Sequence, residues 1–557
     1  VEKIWLKHYH QDVPAEINPD EFRSVVDVLQ HSCHEFSKLP AFYSMGVTLT
    51  YHEICEYAHA FSAYLQQVLQ LKKGDRVAIM LPNVLQYPVV MFGILRAGLT
   101  VVNVNPLYTS TELVHQIRDS GAETIIVLSN FAHTVADALA ETPLKNIIVT
   151  SIGDLFPWPK SFLVNFVVKY IKRMVKPYNI PNAINFTSTL SKGKKCHFHS
   201  VEVGPEDIAF LQYTGGTTGV SKAAMLTHRN IVANVQQAEA WFDPIFRQGE
   251  EIIITALPLY HIFSLLANCL FIMKVGGQNI LIINARDTKD LVKTMGKFKF
   301  TVITAVNTLF ASLLKNKDFA KLDFSHLILA LGGGMAVQSS IAEKWQAVTG
   351  KPILEAYGLT ETSPCAVINP CDLQKYNGTI GLPVSSTDIS ILDDEGQAVA
   401  IGEPGELAIK GPQVMRGYWQ NPEETEKVFT KDGWLLTGDV ASIDKNGYVK
   451  ILERKKDMII VSGFNVYPNE IEDVLVGMPG IQEVAVVAVP SENSGEVPKA
   501  FVVRSDPGIT AEDVISYART KLTGYKIPKH VKFVEELPKS NVGKVLRRKL
   551  RANEEST

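Results

Sequence analysis
The segment with most chemistry in it is Tyr213, Thr214, Gly215, Gly216, Thr217, Thr218, Gly219, Val220, Ser221, Lys222, Ala223 and Ala224. Glycines free the backbone to turn N–H groups inward, hydroxyls add donors and one lysine adds charge, which together suit a phosphate. It is not a Walker A loop, because there the lysine directly follows the second glycine and here Lys222 stands three places after Gly219. Alone, such a loop is as readily a flexible polar turn. Further along, Gly332, Gly333 and Gly334 can bring backbone close to a flat ring, and Tyr357, Gly358, Thr360 and Glu361 place an aromatic face, a hydroxyl and a carboxylate within five residues. Thr437-Gly-Asp439 puts a carboxylate on a tight turn suited to two ribose hydroxyls, with Arg454 a short way beyond. Each is commonly a capped turn or a surface ion pair, but in this order they describe a nucleotide pocket assembled from loops.

The surrounding pattern supplies the scaffold. Thr50 with Glu53 and Thr109 with Glu112 read as capping boxes opening apolar-periodic helices, and Arg76–Leu81, Thr100–Asn105 and Thr124–Leu128 read as buried strands. Helix and strand alternating in this way predicts parallel sheets with helices on both faces. The phosphate loop follows the strand-like Asp207–Leu211, and Gly332 follows the apolar Leu327–Leu331. A charged run around Glu453–Asp457 is the expected boundary, after which a helix from Asn469, strands at Glu483–Val489, Ala500–Val503 and Val531–Val534, and a helix capped by Thr510 with Asp513 suffice for a small α+β domain. The reading is therefore α/β: a large N-terminal domain of mixed and parallel sheets flanked by helices (1–453), a hinge (454–457), and a small mobile α+β C-terminal domain (458–557). The basic tail Arg547-Arg-Lys-Leu-Arg551 has the pattern of a solvated face.

Composition narrows the class. At 557 residues more than one packed unit is expected, and 55 Lys and Arg against 58 Asp and Glu exclude a nucleic-acid binder by bulk charge. Six scattered cysteines form neither a disulfide framework nor paired zinc ligands, so a reducing, cytoplasmic setting is expected. No signal peptide and no apolar stretch long enough to span a bilayer stand out.

Six motifs in order resemble those of the adenylate-forming enzymes, which include acyl-CoA synthetases, firefly luciferases and peptide-synthetase adenylation domains. They are the phosphate loop, Tyr357–Glu361, Gly405-Glu-Leu407, Thr437–Asp439, Arg454–Asp457 with Ser462-Gly-Phe-Asn465, and Pro538-Lys-Ser-Asn-Val-Gly-Lys544. The block from Asp432 to Pro468 looks like the signature of bacterial long-chain fatty acyl-CoA ligases. One departure is Ala223, where the family usually has glycine. Should that position need φ > 0, the methyl would strain the loop.

The resemblance implies ATP, Mg²⁺ and coenzyme A chemistry in two steps: a carboxylate attacks the α-phosphorus of ATP, and the thiol of coenzyme A then displaces AMP. Catalysis would fall to Lys544, Lys222, Glu361 and Thr217. Thr214, Thr217, Thr218 and Lys222 would hold phosphates, Glu361 the Mg²⁺, Tyr357 and Gly332–Gly334 adenine, and Asp439 and Arg454 ribose. The small domain would rotate at Lys456, withdrawing Lys544 and presenting Ser462, Gly463 and Phe464 to the pantetheine arm. Tyr260, His261 and Val306 would line the acyl pocket near the carboxylate, although as bare sequence they are equally good core residues.

Ser161–Lys176 places Lys169, Lys172, Arg173 and Lys176 at helical spacing among Phe162, Phe166 and Ile171, a pattern for an interfacial helix on an anionic inner membrane or for a helix docked on its own domain. Expected partners are thus a long-chain fatty acid, ATP, coenzyme A and the membrane surface, with no nucleic acid. Homodimers are allowed by the resemblance. Two other functions stay open on sequence: a fatty acyl-AMP ligase, and a non-catalytic acyl-nucleotide sensor.

Overall fold
The computed structural model describes residues 3–214, 221–491, 494–540 and 543–555. Two large sheets dominate. The first has seven strands, parallel from Ile184–Asn185 across to Ile208–Thr214 and closed by the antiparallel Lys222–Thr227. The second has nine, with a parallel centre that includes Ile252–Thr255, Val302–Ala305, Leu329–Gly333 and Ile353–Gly358.

Helix Gln86–Arg96 shows why these layers pack as they do. It has apolar residues on all sides and is buried from Gln86 to Leu95, as a helix enclosed within a core must be. The capping boxes form as expected: Thr50 with Glu53, Thr109 with Glu112 and Thr510 with Asp513 each exchange side-chain and backbone hydrogen bonds, each cap contributing about 1 kcal/mol. Thr227 with Asn230 adds another, opening helix His228–Phe242.

A four-stranded antiparallel sheet follows, ending with Leu435–Ile443 against Val449–Arg454. The last sheet opens with the hairpin Ile459–Val461 and Phe464–Val466 and encloses its own apolar core around Ile471, Val486 and Val502. Only Lys455–Met458 lies between the two.

Three local readings change. The strand before the glycine run is Leu329–Gly333, so Gly332 and Gly333 are its final residues, not a loop after it. Both need to be small: a Cβ on Gly332 would lie 2.8 Å from Val337 Cγ2, and one on Gly333 3.1 Å from the Ala356 carbonyl. Ala223 sits within strand Lys222–Thr227, paired with Tyr213, and is not among the residues at positive φ, so its methyl strains nothing. The basic segment is not one helix to Lys176. Helix Lys160–Phe166 widens into a π-type turn at Val167–Ile171 and stops, with Arg173 left-handed at φ 50° and Pro177 beyond. Lys172, Arg173 and Lys176 therefore follow the helix and share no helical face with Lys169.

Candidate active site
One cavity of about 2290 Å³ lies at the carboxyl ends of the central strands, where open α/β sheets bind ligands. Its polar end gathers residues from distant parts of the chain. Thr214, Ser221 and Lys222 arrive at the tip of a hairpin in which Thr214 pairs with Lys222. Gly215, Gly216, Thr217, Thr218, Gly219 and Val220 lie outside the described residues. Tyr213 lines the cavity, its hydroxyl donating to Asp119 at 2.5 Å, while Ala223 and Ala224 are buried behind it.

The Lys222 ammonium contacts the Glu424 carboxylate, on helix Pro422–Val428, and lies 5.3 Å over the Tyr418 ring. Tyr418 in turn donates its hydroxyl to Glu361 Oε1 at 2.8 Å. Gly358 has to be glycine, since a Cβ there would fall 1.6 Å from the Pro364 carbonyl oxygen.

The end of the cavity around Asp439 is built by a chain of hydrogen bonds. Asp439 Oδ2 accepts from the Tyr357 hydroxyl at 2.6 Å, and Oδ1 lies 3.2 Å from Arg454 Nε. Asp439 pairs with Arg454 across adjacent strands. The turn before Asp439 is held by the Thr437 hydroxyl donating to the Leu407 carbonyl at 2.8 Å and by the Gly438 amide donating to Glu406 Oε1 at 3.0 Å. Gly405-Glu-Leu407 thus serves as a support, fixing the turn that carries the Asp439 carboxylate.

Lys544 projects from the C-terminal domain into this same cavity, its Cε 3.7 Å from where a Cβ of Gly334 would be. Enclosure, then the Arg454 guanidinium, push its ammonium down to about 8 against the pull of Asp439 and Glu361. His261 and Tyr260 line the cavity nearby, and burial with Lys544 opposite pushes the His261 imidazole down to about 4, so it is neutral at physiological pH. Val306 packs within 3.7 Å of the same Gly334 position. Lys456 lines the cavity at the domain boundary, and burial lowers its pKa.

Ser462, Gly463 and Phe464 do not join this group. Ser462, at φ 51°, and Gly463, at φ 84°, form a two-residue hairpin turn of primed geometry, Phe464 opens the strand after it, and all three lie outside the cavity lining.

The basic tail also departs from a solvated face. Arg547 bridges Glu453 at 3.0 Å, Asn469 at 2.7 Å and Glu472 at 2.8 Å, and Arg551 reaches Asp457 at 2.8 Å. Glu453 belongs to the four-stranded sheet and Glu472 to helix Pro468–Val476, so Arg547 clasps the two domains together.

Among the described residues no cluster of three or more His, Cys, Asp or Glu could cage a metal. Mg²⁺ needs no such cage, since it keeps several waters and is bound by one or two carboxylates plus substrate phosphates, and Glu361 is one of several carboxylates lining the cavity that could serve.

Family comparison agrees with this geometry. A model described as AMP-binding enzyme matches residues 29–419, and one described as AMP-binding enzyme C-terminal domain matches 470–544. The chain is 56% identical over 551 residues to a long-chain-fatty-acid–CoA ligase of Escherichia coli O157:H7, covering 99% of this chain and 98% of that one. It is 38% identical to the ligase of the same name from Bacillus subtilis, over 99% and 98% of the two chains. Among solved structures, ATP-bound MatB from Rhodopseudomonas palustris aligns with TM-score 0.82 at 28% identity over 95% of this chain and 98% of that one. The anthranilate CoA ligase AuaEII with anthranoyl-AMP aligns with TM-score 0.85 at 24% identity over 96% and 99%, a likeness of fold.

Proposed function
The chain belongs to the AMP-binding enzyme family, and on that footing we propose that it converts long-chain fatty acids to acyl-CoA through an acyl-adenylate, with ATP and coenzyme A as cosubstrates. The observation that carries the mechanism is Lys544, brought from the small domain to the Gly334 backbone and facing Asp439 and Glu361.

A carboxylate is a weak electrophile and AMP is a good leaving group, so the first step joins a carboxylate oxygen to the α-phosphorus and releases pyrophosphate. Negative charge accumulates on the phosphate oxygens there, and fixed cations in an enclosed site stabilise it. Lys544 reaches the space between His261 and the ribose-binding Asp439, where it bridges acid and α-phosphate. Lys222 exchanges Glu424 for the outgoing phosphates. Tyr357 aligns Asp439 for the ribose hydroxyls, and Arg454 neutralises it. Glu361, steadied by Tyr418, would hold Mg²⁺, which screens the phosphate charge when bound.

In the second step the thiol sulfur bonds to the acyl carbon, the carbonyl carbon–phosphate oxygen bond breaks, and AMP leaves with the proton lost to solvent. The thiol needs the space Lys544 fills. We place the hinge at 454–457, pivoting at Lys456, so that the lid withdraws Lys544 and turns Ser462, Gly463 and Phe464 inward.

The test is AMP release over a ladder of saturated acids with and without coenzyme A. Turnover that needs coenzyme A and peaks at long chains is expected, and turnover restricted to short or aromatic acids would refute the substrate.

Membrane contact is the second part of the proposal. Trp158 is 85% exposed, and Phe162, Leu163, Tyr170 and Ile171 are all more than half exposed along one stretch, beside Lys169, Lys172 and Arg173. An apolar strip with a cationic border fits an anionic bilayer surface, each cation contributing about 1 kcal/mol. Changing Lys169, Lys172 and Arg173 together to Glu should abolish co-sedimentation with anionic vesicles. Unchanged binding would rule this surface out.

A further inference from the structure
The cavity does not stop at the reacting groups. Val302, Thr304, Leu329, Leu331 and Gly333 all line it. These are alternate residues of two neighbouring parallel strands in direct register, Val302 opposite Leu329 and Thr304 opposite Leu331, so they share one face. The intervening Ile303 and Ala330 face a different core, with Phe310 and Trp345. The cavity therefore follows the strands backwards from Gly333, beside Lys544, to Leu329. Four residues of strand cover about 13 Å, and an extended chain advancing about 3.3–3.6 Å per three bonds fits roughly eleven carbons into it.

At the Leu329 end three phenyl rings meet. Phe242 and Phe271 are 6.0 Å apart, Phe242 and Phe246 5.7 Å, and Phe246 and Phe271 5.3 Å between centroids, and all three line the cavity. Phe242 and Phe271 pack with Leu329 and Val302 in one apolar cluster. They are fixed, at 2% and 4% exposure, on the last turn of helix His228–Phe242 and on helix Phe271–Lys274. Phe246 differs: it is half-buried, on the turn after its helix, anchored by its amide to the Phe242 carbonyl at 3.0 Å.

We propose that this phenyl cluster is the subsite for the methyl end of the acyl chain, with Phe242 and Phe271 as fixed walls and Phe246 as the plug that yields to longer chains, so that the cluster sets the upper chain-length limit. The inference rests on the long-chain acid reading and adds where that chain ends. A phenyl on a short surface turn rotates outward at less cost than one held between a helix and a sheet, since it gives up fewer packed contacts.

The experiment compares kcat/KM over saturated acids from medium to very long chain for the full-length protein and two variants on different elements. Phe246→Ala should raise the ratio for acids longer than the wild-type optimum, relative to that optimum, by roughly tenfold, the scale of a methylene or more accommodated in an apolar pocket. Ala267→Phe, one helical turn nearer the reacting end than Phe271 and also lining the cavity, should move the optimum to shorter acids. Profiles of both variants that superimpose on the wild type, with wild-type activity on long chains intact, would overturn the subsite while leaving the function standing. Wild-type protein with no long-chain turnover would instead remove the reading on which both rest.

Discussion

Two loops of the small C-terminal domain sit in opposite surroundings. Lys544 is enclosed in the large cavity, close to Gly334, whereas Phe464, the strand residue that follows the Ser462–Gly463 turn, is 56% exposed and stacks 4.8 Å from Tyr525 of its own domain. One rigid unit cannot bring both to the same place at once. On the function proposed above, the difference teaches that this arrangement suits the first half-reaction, and that the second would call for reorienting the whole domain, not rearranging a side chain.

The largest test removes the enclosed partner. Lys544→Ala should lower acyl-adenylate formation by about 10²–10³-fold, the scale of losing one preorganised charge donor, and leave thioester formation from supplied acyl-adenylate within a few-fold. Equal loss in both assays would dissolve the comparison. Next comes the clasp that keeps the loops where they are. Removing one partner of a buried ion pair costs about 3–5 kcal/mol, and Arg547 is shared among Glu453, Glu472 and Asn469. Arg547→Ala should depress adenylation by tenfold or more and spare thioester formation. A uniform loss in both, with a lowered melting temperature, would make Arg547 merely structural.

A pH series sharpens the same contrast. Lys544 is charged below about 8 and neutral above it, so kcat/KM for adenylation, which reports the free enzyme, should fall about tenfold per pH unit above that value. The thioester step from supplied acyl-adenylate should show no matching limb. Smaller still, Phe464→Ala should weaken coenzyme A use by a few-fold and leave adenylation unchanged. The smallest effect belongs to Ala223→Gly: within a strand interior it should cost about 0.5–1 kcal/mol of stability, without any gain in turnover, measured by denaturant unfolding.

What sequence makes legible follows from what is local. Capping boxes at Thr50, Thr109 and Thr510 and the apolar runs at Thr124–Leu128 and Glu483–Val489 depend on neighbours a few residues away, and they appear where the pattern puts them. The site's landmarks are readable as ordered motifs, and the cavity brings Lys222, Glu361, Asp439, Arg454 and Lys544 together. Their supports are not. Glu424 meets Lys222 across 202 positions of sequence, and Tyr418 meets Glu361 across 57. A glutamate in the first turn of a helix carries no mark of such a distant partner. The pattern of Arg547 within a basic tail suggests a solvated face because charge spacing says nothing about acids on another strand. A helix continuing to Lys176 is excluded for a related reason: side-chain periodicity cannot register a backbone that leaves the helical region at Arg173.

The pairing of Lys222 with Glu424 bears on how the enzyme meets its nucleotide. Lys222, with Lys427 2.5 Å away on the other carboxylate oxygen, holds Glu424 down to about 2, so the acid is an anion at every working pH. The lysine proposed above for the phosphates is therefore already compensated, and on that proposal an arriving polyphosphate would compete with a resident carboxylate for it. Because Glu424 stays tethered nearby when displaced, its carboxylate continues to oppose the incoming phosphates, and Lys427 is the cation left to hold it. A monovalent acid that resembled only the carboxylate would gain nothing by entering. On that proposal Glu424 would act as a tethered competitor whose local concentration is fixed by the fold, setting a threshold that linked phosphates would overcome and one stray anion would not.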